Sequence, residues 1–360
     1  MNLWQISEDS FNSKALHSQE TVYSIGNGYF GTRGTFEEGY PKAMPATLLF
    51  GVFDRIAVGK EELANAPDWV VIKLFVNGER FRLDRGKILA YQRSLDIYNG
   101  ILTRSVHWES PSGIRLKIMI ERIASLADEH VAAIRYSVTA DEQHSGEDIT
   151  LALRATLDSA VGNYDVMHWE SVDEEHDKDI LWLHSRTRHS NVQLAQTMSF
   201  TTSAANFQQV MTDSDVAPSI RLTGKLAAGT TLTAEKIVVM YTSHDNVGDP
   251  VQAAIEHHRK LLQINSQVAQ SSTQVKVDSN DIFDVLLARH KEAWQGYWQI
   301  SDIIIEGDNK AQVAVRYNIY QLRISASTHD SHYSIAAKGL TGFGYRGHIF
   351  HDTEIFMLPY

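Results

Sequence analysis

The chain is predicted to be a multidomain β + α protein, with a large N-terminal antiparallel β-sandwich followed by helices. Three observations predict this. Apolar residues recur with a period of two through most of the stretch from Val22 to Tyr241. Asn77-Gly78 separates Ile72-Lys73-Leu74-Phe75-Val76 from Arg80-Phe81-Arg82-Leu83, a hairpin signal because a type I′ turn needs positive φ at both central residues. From Val251 onward the apolar spacing changes to that of a helix. Many strands without interleaved helices imply a sandwich. At about 150 residues per domain, 360 residues make two or three domains.

In chain order, Gly26-Asn27-Gly28-Tyr29-Phe30-Gly31 comes first. It fits G-x-G-x-x-G, but Gly34, Gly39 and Pro41 leave no room for the helix that a dinucleotide site requires, so a tight turn between strands is expected. Ile114, Leu116, Ile118 and Ile120 alternate with polar or flexible residues, as do Leu151, Leu153, Ala155 and Leu157. Val131 to Val138, Ile180 to His184, Gln193 to Thr201 and Lys236 to Tyr241 read as further strands. Asp173-Glu174-Glu175-His176-Asp177-Lys178-Asp179 lacks the spacing and glycine of a calcium loop and reads as a solvated loop.

Two connector helices come next. Val251, Ala254, Ile255, His258, Leu261 and Leu262 define the first, with His257-His258 expected on its surface and one ring half-buried. Phe283, Leu286, Leu287, His290, Trp294 and Tyr297 define the second, with Ser279 as a candidate cap. A third helix is expected from Lys310 to about Ser325 with Asp308 at its start; apolar residues on several faces call for burial among other helices. The glycine-rich stretch Thr328–Asp352 reads as a structured lid or binding loop. The domain limits expected are 1–265 for the sandwich, 266–308 for the linker and 309–360 for the last unit.

Composition excludes several functions. Forty-four acidic residues against 33 basic ones give a net charge of −11, which disfavours a nucleic-acid partner. No apolar run approaches the ~18 residues of a membrane span. The first nine residues lack the basic start and apolar core of a secretory signal. Without cysteine there are no disulfides or thiolate metal sites, and a cytoplasmic chain is expected. His329-Asp330-Ser331-His332 does not supply the convergent ligand set of a metal site, so no metal is expected.

Gly347-His348-Ile349-Phe350-His351-Asp352-Thr353-Glu354 gathers imidazoles and carboxylates between a glycine-rich loop and an apolar segment. Asp352 and Glu354, two apart, sit about 200° apart on a helix, so one is expected to bind and the other to support. A helix N-terminus with its acidic residues explains the same pattern equally well.

Together with Ser334-Ile335-Ala336-Ala337-Lys338-Gly339-Leu340-Thr341, the stretch Gly342–Pro359 resembles the signature of glycoside hydrolase family 65. Ile25–Gly34 resembles the family's opening motif, and Pro67-Asp68-Trp69 with Val76-Asn77-Gly78-Glu79 adds a third match in order. The family includes phosphorylases of kojibiose, nigerose, trehalose and maltose, and some hydrolases. The resemblance implies an N-terminal supersandwich, a helical linker and the beginning of an (α/α)6 barrel. At ~12 residues per helix, too few residues come after Asp308 for twelve helices, so the N-terminal part of a longer enzyme is expected.

By resemblance, Asp352 binds the transferred glucose, and His351 stands where the family usually has Trp. The family's general acid, a Glu, and its phosphate-binding residues would fall beyond Tyr360, so no catalytic residue is assigned here. The implied chemistry is inverting phosphorolysis of an α-glucosidic bond to β-glucose 1-phosphate. Inorganic phosphate is the co-substrate, with no metal or organic cofactor. An α-glucosidase, or a non-catalytic carbohydrate-binding or orphaned sandwich, is the alternative. A homodimer is possible in a full-length form, and this chain alone is expected to be inactive.

Overall fold

The alternating runs pair into three antiparallel sheets in the computed structural model, which describes residues 2–55, 59–142, 148–214, 216–268, 281–328 and 330–353. The nine-stranded sheet has the order β1 (Gln5–Glu8), β8 (Lys87–Asp96), β9 (Ile101–Glu109), β10 (Arg115–Ala124), β11 (Val131–Ala140), β18 (Thr231–Thr242), β15 (Gln193–Thr202), β14 (Leu181–Thr187), β13 (Trp169–His176). The five-stranded sheet runs β16 (Phe207–Thr212), β17 (Ser219–Leu226), β12 (Ile149–Thr156), β6 (Ile72–Val76), β7 (Glu79–Arg80). A four-stranded sheet joins β2 (Ile25–Gly26), β3 (Phe30–Thr32), β4 (Thr47–Arg55) and β5 (Glu61–Asn65) in chain order.

Burial sets the register. Ile118 lies opposite Val106 and Val138, and Leu116 opposite Trp108 and Ala140; all are buried, while Met119 next to Ile118 is exposed. A one-residue slip would exchange those faces. The β6–β7 hairpin turns at Asn77 and Gly78, with φ of 46° and 82°, as the type I′ reading requires. Arg104 and Arg122 reach into the interior from β9 and β10 and form ion pairs with Glu37 and Glu38. Burial pushes the Glu37 carboxyl up, but the two guanidinium groups outweigh it and hold it down at about 2.

Four helices complete the described fold. α1 (Leu16–Val22) was not expected from the sequence. α2 (Pro250–Val268) lies across β15 and β18. His257 is the expected half-buried ring, but the surface placement of its neighbour is corrected: His258 is fully buried between Thr197 Oγ1 (2.8 Å) and Ser199 Oγ (2.9 Å). His257 meets Asp128 at 2.9 Å and the Tyr241 hydroxyl at 3.1 Å. α3 (Ile282–Ser301) begins after Asp281; Ser279, the expected cap, lies outside the described residues. Its Phe283 and Leu286 pack on Val131, Ala133, Ile237 and Val239 of the large sheet.

α4 (Asn309–Ser325) is capped by Asp308, whose Oδ1 accepts the N–H groups of Lys310 (2.9 Å) and Ala311 (3.0 Å). The buried residues Gln312, Arg316, Ile319, Tyr320 and Ile324 form one stripe, covered by α3 and the sandwich among the described residues. Tyr320 stacks on Trp294 (5.2 Å, 22°) and donates to the Ser24 carbonyl at 3.2 Å. Arg316 lies 3.6 Å over the Trp4 ring and makes two 2.8 Å bonds to Asp302.

The acidic stretch is also corrected. Asp173 to His176 belong to the edge strand β13, and only Asp177 to Asp179 form a loop. Charges suit an edge strand because they discourage pairing with another chain. Among the described residues, no helix is long and apolar enough to cross a membrane.

Candidate functional site

The segment after α4 crosses the four-stranded sheet as a strap, and the glycine-rich hairpin is what it leaves from. Asn27 Oδ1 accepts the N–H groups of Tyr29 (3.0 Å) and Phe30 (3.1 Å), closing the β2–β3 turn. The Asn27 amide donates to the carbonyls of Ser125 and Glu129, both at 2.9 Å. Gly28 has φ +93°, and a Cβ there would lie 2.2 Å from the Ala326 carbonyl oxygen. Its N–H donates to the Ile324 carbonyl at 3.1 Å. The tight-turn reading of this motif therefore holds, and its backbone seats the end of α4.

The strap is pinned at several points. Leu340 is buried against Leu48 and Leu63. Arg33 donates to the Thr341 carbonyl at 2.8 Å and to the Met44 carbonyl at 3.0 Å. Tyr333 stacks on Phe53 at 5.8 Å. Tyr345, Arg346 and Gly347 then adopt left-handed backbone in succession, with φ of 57°, 58° and 77°. For Tyr345 and Arg346 this costs about 1–2 kcal/mol each. Gly347 is required for space as well: a Cβ would sit 2.3 Å from Leu63 Cγ.

A buried relay stands beneath this turn. His168 places Nδ1 3.1 Å from Asp54 Oδ2 and Nε2 2.8 Å from Glu62 Oε1. Asp54 also accepts from the N–H groups of Ser190 (2.8 Å) and His189 (3.1 Å). Burial raises the Asp54 pKa, but these donors and His168 outweigh it, so the carboxyl lies below its ordinary value. Glu62 Oε2 is 4.0 Å from Arg346 Nη1. Sequence reading missed this relay because its three residues lie on separate segments and match no short motif.

Past the turn, His348 stacks on Phe53 (6.4 Å, 26°), and Phe350 meets Tyr345 edge-on at 5.1 Å. His351 and Asp352 come next, in an exposed turn. Neither side chain has a partner among the described hydrogen bonds and ion pairs. Glu354 and His329 lie outside the described residues, while Asp330 and His332 bond to each other at 2.8 Å. The structure thus places the two sequence-selected residues side by side at the end of a constrained strap. The motif Pro67-Asp68-Trp69 is not at this end: Trp69 is fully buried and donates to Thr32 Oγ1 at 2.9 Å.

Comparison with known proteins bears on both halves of the chain. Residues 6–297 match the family model described as glycosyl hydrolase family 65, N-terminal domain, and residues 316–360 match that family's central catalytic domain. A kojibiose phosphorylase of Halothermothrix orenii is 34% identical over 99% of this chain and 45% of its own length. An alpha,alpha-trehalose phosphorylase of Thermoanaerobacter brockii is 30% identical, with 99% and 47% covered. A nigerose phosphorylase of Lachnoclostridium phytofermentans is 27% identical over the same shares. A solved structure, a putative kojibiose phosphorylase from human microbiome, superposes with a TM-score of 0.81 at 24% identity, covering 99% of this chain and 46% of that one. The chain spans about half the length of the curated relatives it matches.

Proposed function

The chain belongs to glycosyl hydrolase family 65, and from that premise we propose that it forms the sandwich and the sugar-binding strap of an inverting α-glucoside phosphorylase. The observation that carries this reading is the strap itself. Left-handed backbone at Tyr345 and Arg346 and the close seat of Gly347 on Leu63 fix the chain shortly before the His351-Asp352 turn. Strain retained by surrounding packing is a common property of ligand-holding segments. In this reading the Asp352 carboxylate accepts hydroxyl protons of the transferred glucose, and the His351 ring lies where an aromatic face would cover the sugar.

The reaction is phosphorolysis with inversion. A carboxylic acid protonates the leaving glycosidic oxygen, and a phosphate oxygen forms a bond to the anomeric carbon from the opposite face as the old bond breaks. The products are β-glucose 1-phosphate and the released sugar. Water would need a second carboxylate as base. Phosphate is already anionic, so no metal or organic cofactor enters the proposal. The acid and the phosphate site are assigned to no residue of this chain. A cytoplasmic setting belongs to the same proposal, since a chain without cysteine needs no oxidising compartment.

Binding tests the assignment in the chain itself. Asp352→Asn keeps the shape but replaces an acceptor by a donor. Charge-assisted hydrogen bonds of ~1.5–3 kcal/mol predict that glucose or β-glucose 1-phosphate then binds roughly 10–100-fold more weakly. His351→Trp is expected to bind at least as well as the parent. Equal affinity in Asp352→Asn would remove Asp352 from the site. In a form carrying a complete barrel, cleavage of kojibiose, nigerose, trehalose or maltose is expected to require phosphate, and phosphate-independent cleavage would point to a hydrolase.

A further inference from the structure

A cavity of about 640 Å³ opens between the turn after β18 and the first part of the strap. That volume lies within the range of small-molecule sites. One side is aromatic: His130 and Tyr241 stack face to face at 3.8 Å and 12°, with Tyr29 edge-on to His130 at 4.6 Å. The other side carries Tyr333, whose ring is partly exposed.

Three carboxylates line the space, Glu129, Asp245 and Asp330, and the two aspartates are each fixed through one oxygen. Asp245 Oδ2 accepts from the Tyr29 hydroxyl (2.7 Å), the Thr242 hydroxyl (3.1 Å) and the Thr242 N–H (2.5 Å). Asp330 Oδ1 accepts from the N–H and the Nδ1 of His332, both at 2.8 Å. Asp245 Oδ1 and Asp330 Oδ2 take part in none of the described hydrogen bonds. Burial raises the Asp330 pKa, but the His332 donors and His244 outweigh it and keep the carboxyl below its ordinary value, ionised at neutral pH. Neither Lys nor Arg lines the cavity.

This combination selects a ligand class. Oriented carboxylate oxygens accept strong hydrogen bonds from hydroxyl groups. Aromatic faces cover apolar C–H surface. Three carboxylates with neither Lys nor Arg beside them in the lining repel anions, which disfavours phosphate and sugar phosphates. We propose that this cavity is a binding site for a neutral saccharide of one or two hexose rings, separate from the His351-Asp352 turn. The inference holds whether or not Asp352 binds a sugar.

Calorimetric titration and saturation-transfer NMR on the 360-residue chain test it, with kojibiose and trehalose as probes and inorganic phosphate as the anionic control. Saturable binding of a disaccharide is expected. Asp330→Asn and Asp245→Asn are each expected to weaken it about tenfold or more. Asp330 lies on the strap outside the sandwich core, so its variant remains informative if Asp245→Asn folds poorly. Asp352→Asn is expected to leave this binding in place. If the turn also binds sugar, the parent shows two sites and Asp352→Asn shows one. Absence of saturable disaccharide binding in the parent would overturn the proposal. So would binding that disappears in Asp352→Asn and persists unchanged in both cavity variants.

Discussion

Acidification to pH 5 should destabilise the chain in part through one histidine, His290. Its ring is fully buried on α3, where Nδ1 accepts the Leu126 N–H at 3.0 Å and Nε2 donates to the Gly100 carbonyl at 3.3 Å. That arrangement admits only the neutral tautomer, because a proton on Nδ1 would face the Leu126 N–H. Burial lowers the pKa from 6.5 to about 4; the Gly100 carbonyl pulls the other way and loses. The unfolded chain therefore takes up this proton first. The stability contributed by the neutral ring is present above the unfolded value and is lost as pH falls from about 6.5 toward 4. The gap corresponds to ~3 kcal/mol in all, of which about 2 kcal/mol is lost by pH 5. Urea midpoints at pH 7.5, 6 and 5 measure it. His290→Gln has no titrating proton, so its stability should fall by about 2 kcal/mol less over that range than the parent's. Parallel pH dependences would refute the reasoning and place the ring in water.

Gly28→Ala must relieve a 2.2 Å contact with the Ala326 carbonyl at φ +93°. It should cost about 1–3 kcal/mol and raise hydrogen exchange along 326–341, read by mass spectrometry. Trp294→Ala empties a fully buried site between α3 and Tyr320 and should lower stability by about 3–5 kcal/mol in a thermal melt. His168→Gln removes the ring whose two nitrogens bridge Asp54 and Glu62. It should destabilise by up to about 3–5 kcal/mol, with faster exchange at Tyr345 and Arg346 as the specific sign. An exchange pattern unchanged at that turn would disconnect the relay from the strap.

The sheets were legible because burial on one face writes itself into alternate residues, as at Leu116, Ile118 and Ile120. The Asn77-Gly78 turn was legible because few residues tolerate positive φ. The acidic strand β13 was not, since an edge strand with both sides in water carries no apolar period. Nor was the true seat of α4: its tyrosines and valines announce burial but do not say against what. At the candidate site, His351 and Asp352 were found through a contiguous motif. The relay of Asp54, His168 and Glu62 was invisible because 114 residues separate two of its members and only folding brings them together.

The seating of α4 and the strap on the Gly28 hairpin has a consequence during synthesis. The hairpin leaves the ribosome early, while its cover, Ala326 to Thr341, is made about 300 residues later. At about 5–20 residues per second, the apolar edge formed by Leu48 and Leu63 waits roughly 15–60 s for Leu340 to arrive. The nascent sandwich therefore spends most of its birth with that edge open to water, to chaperones and to other unfinished copies on the same messenger.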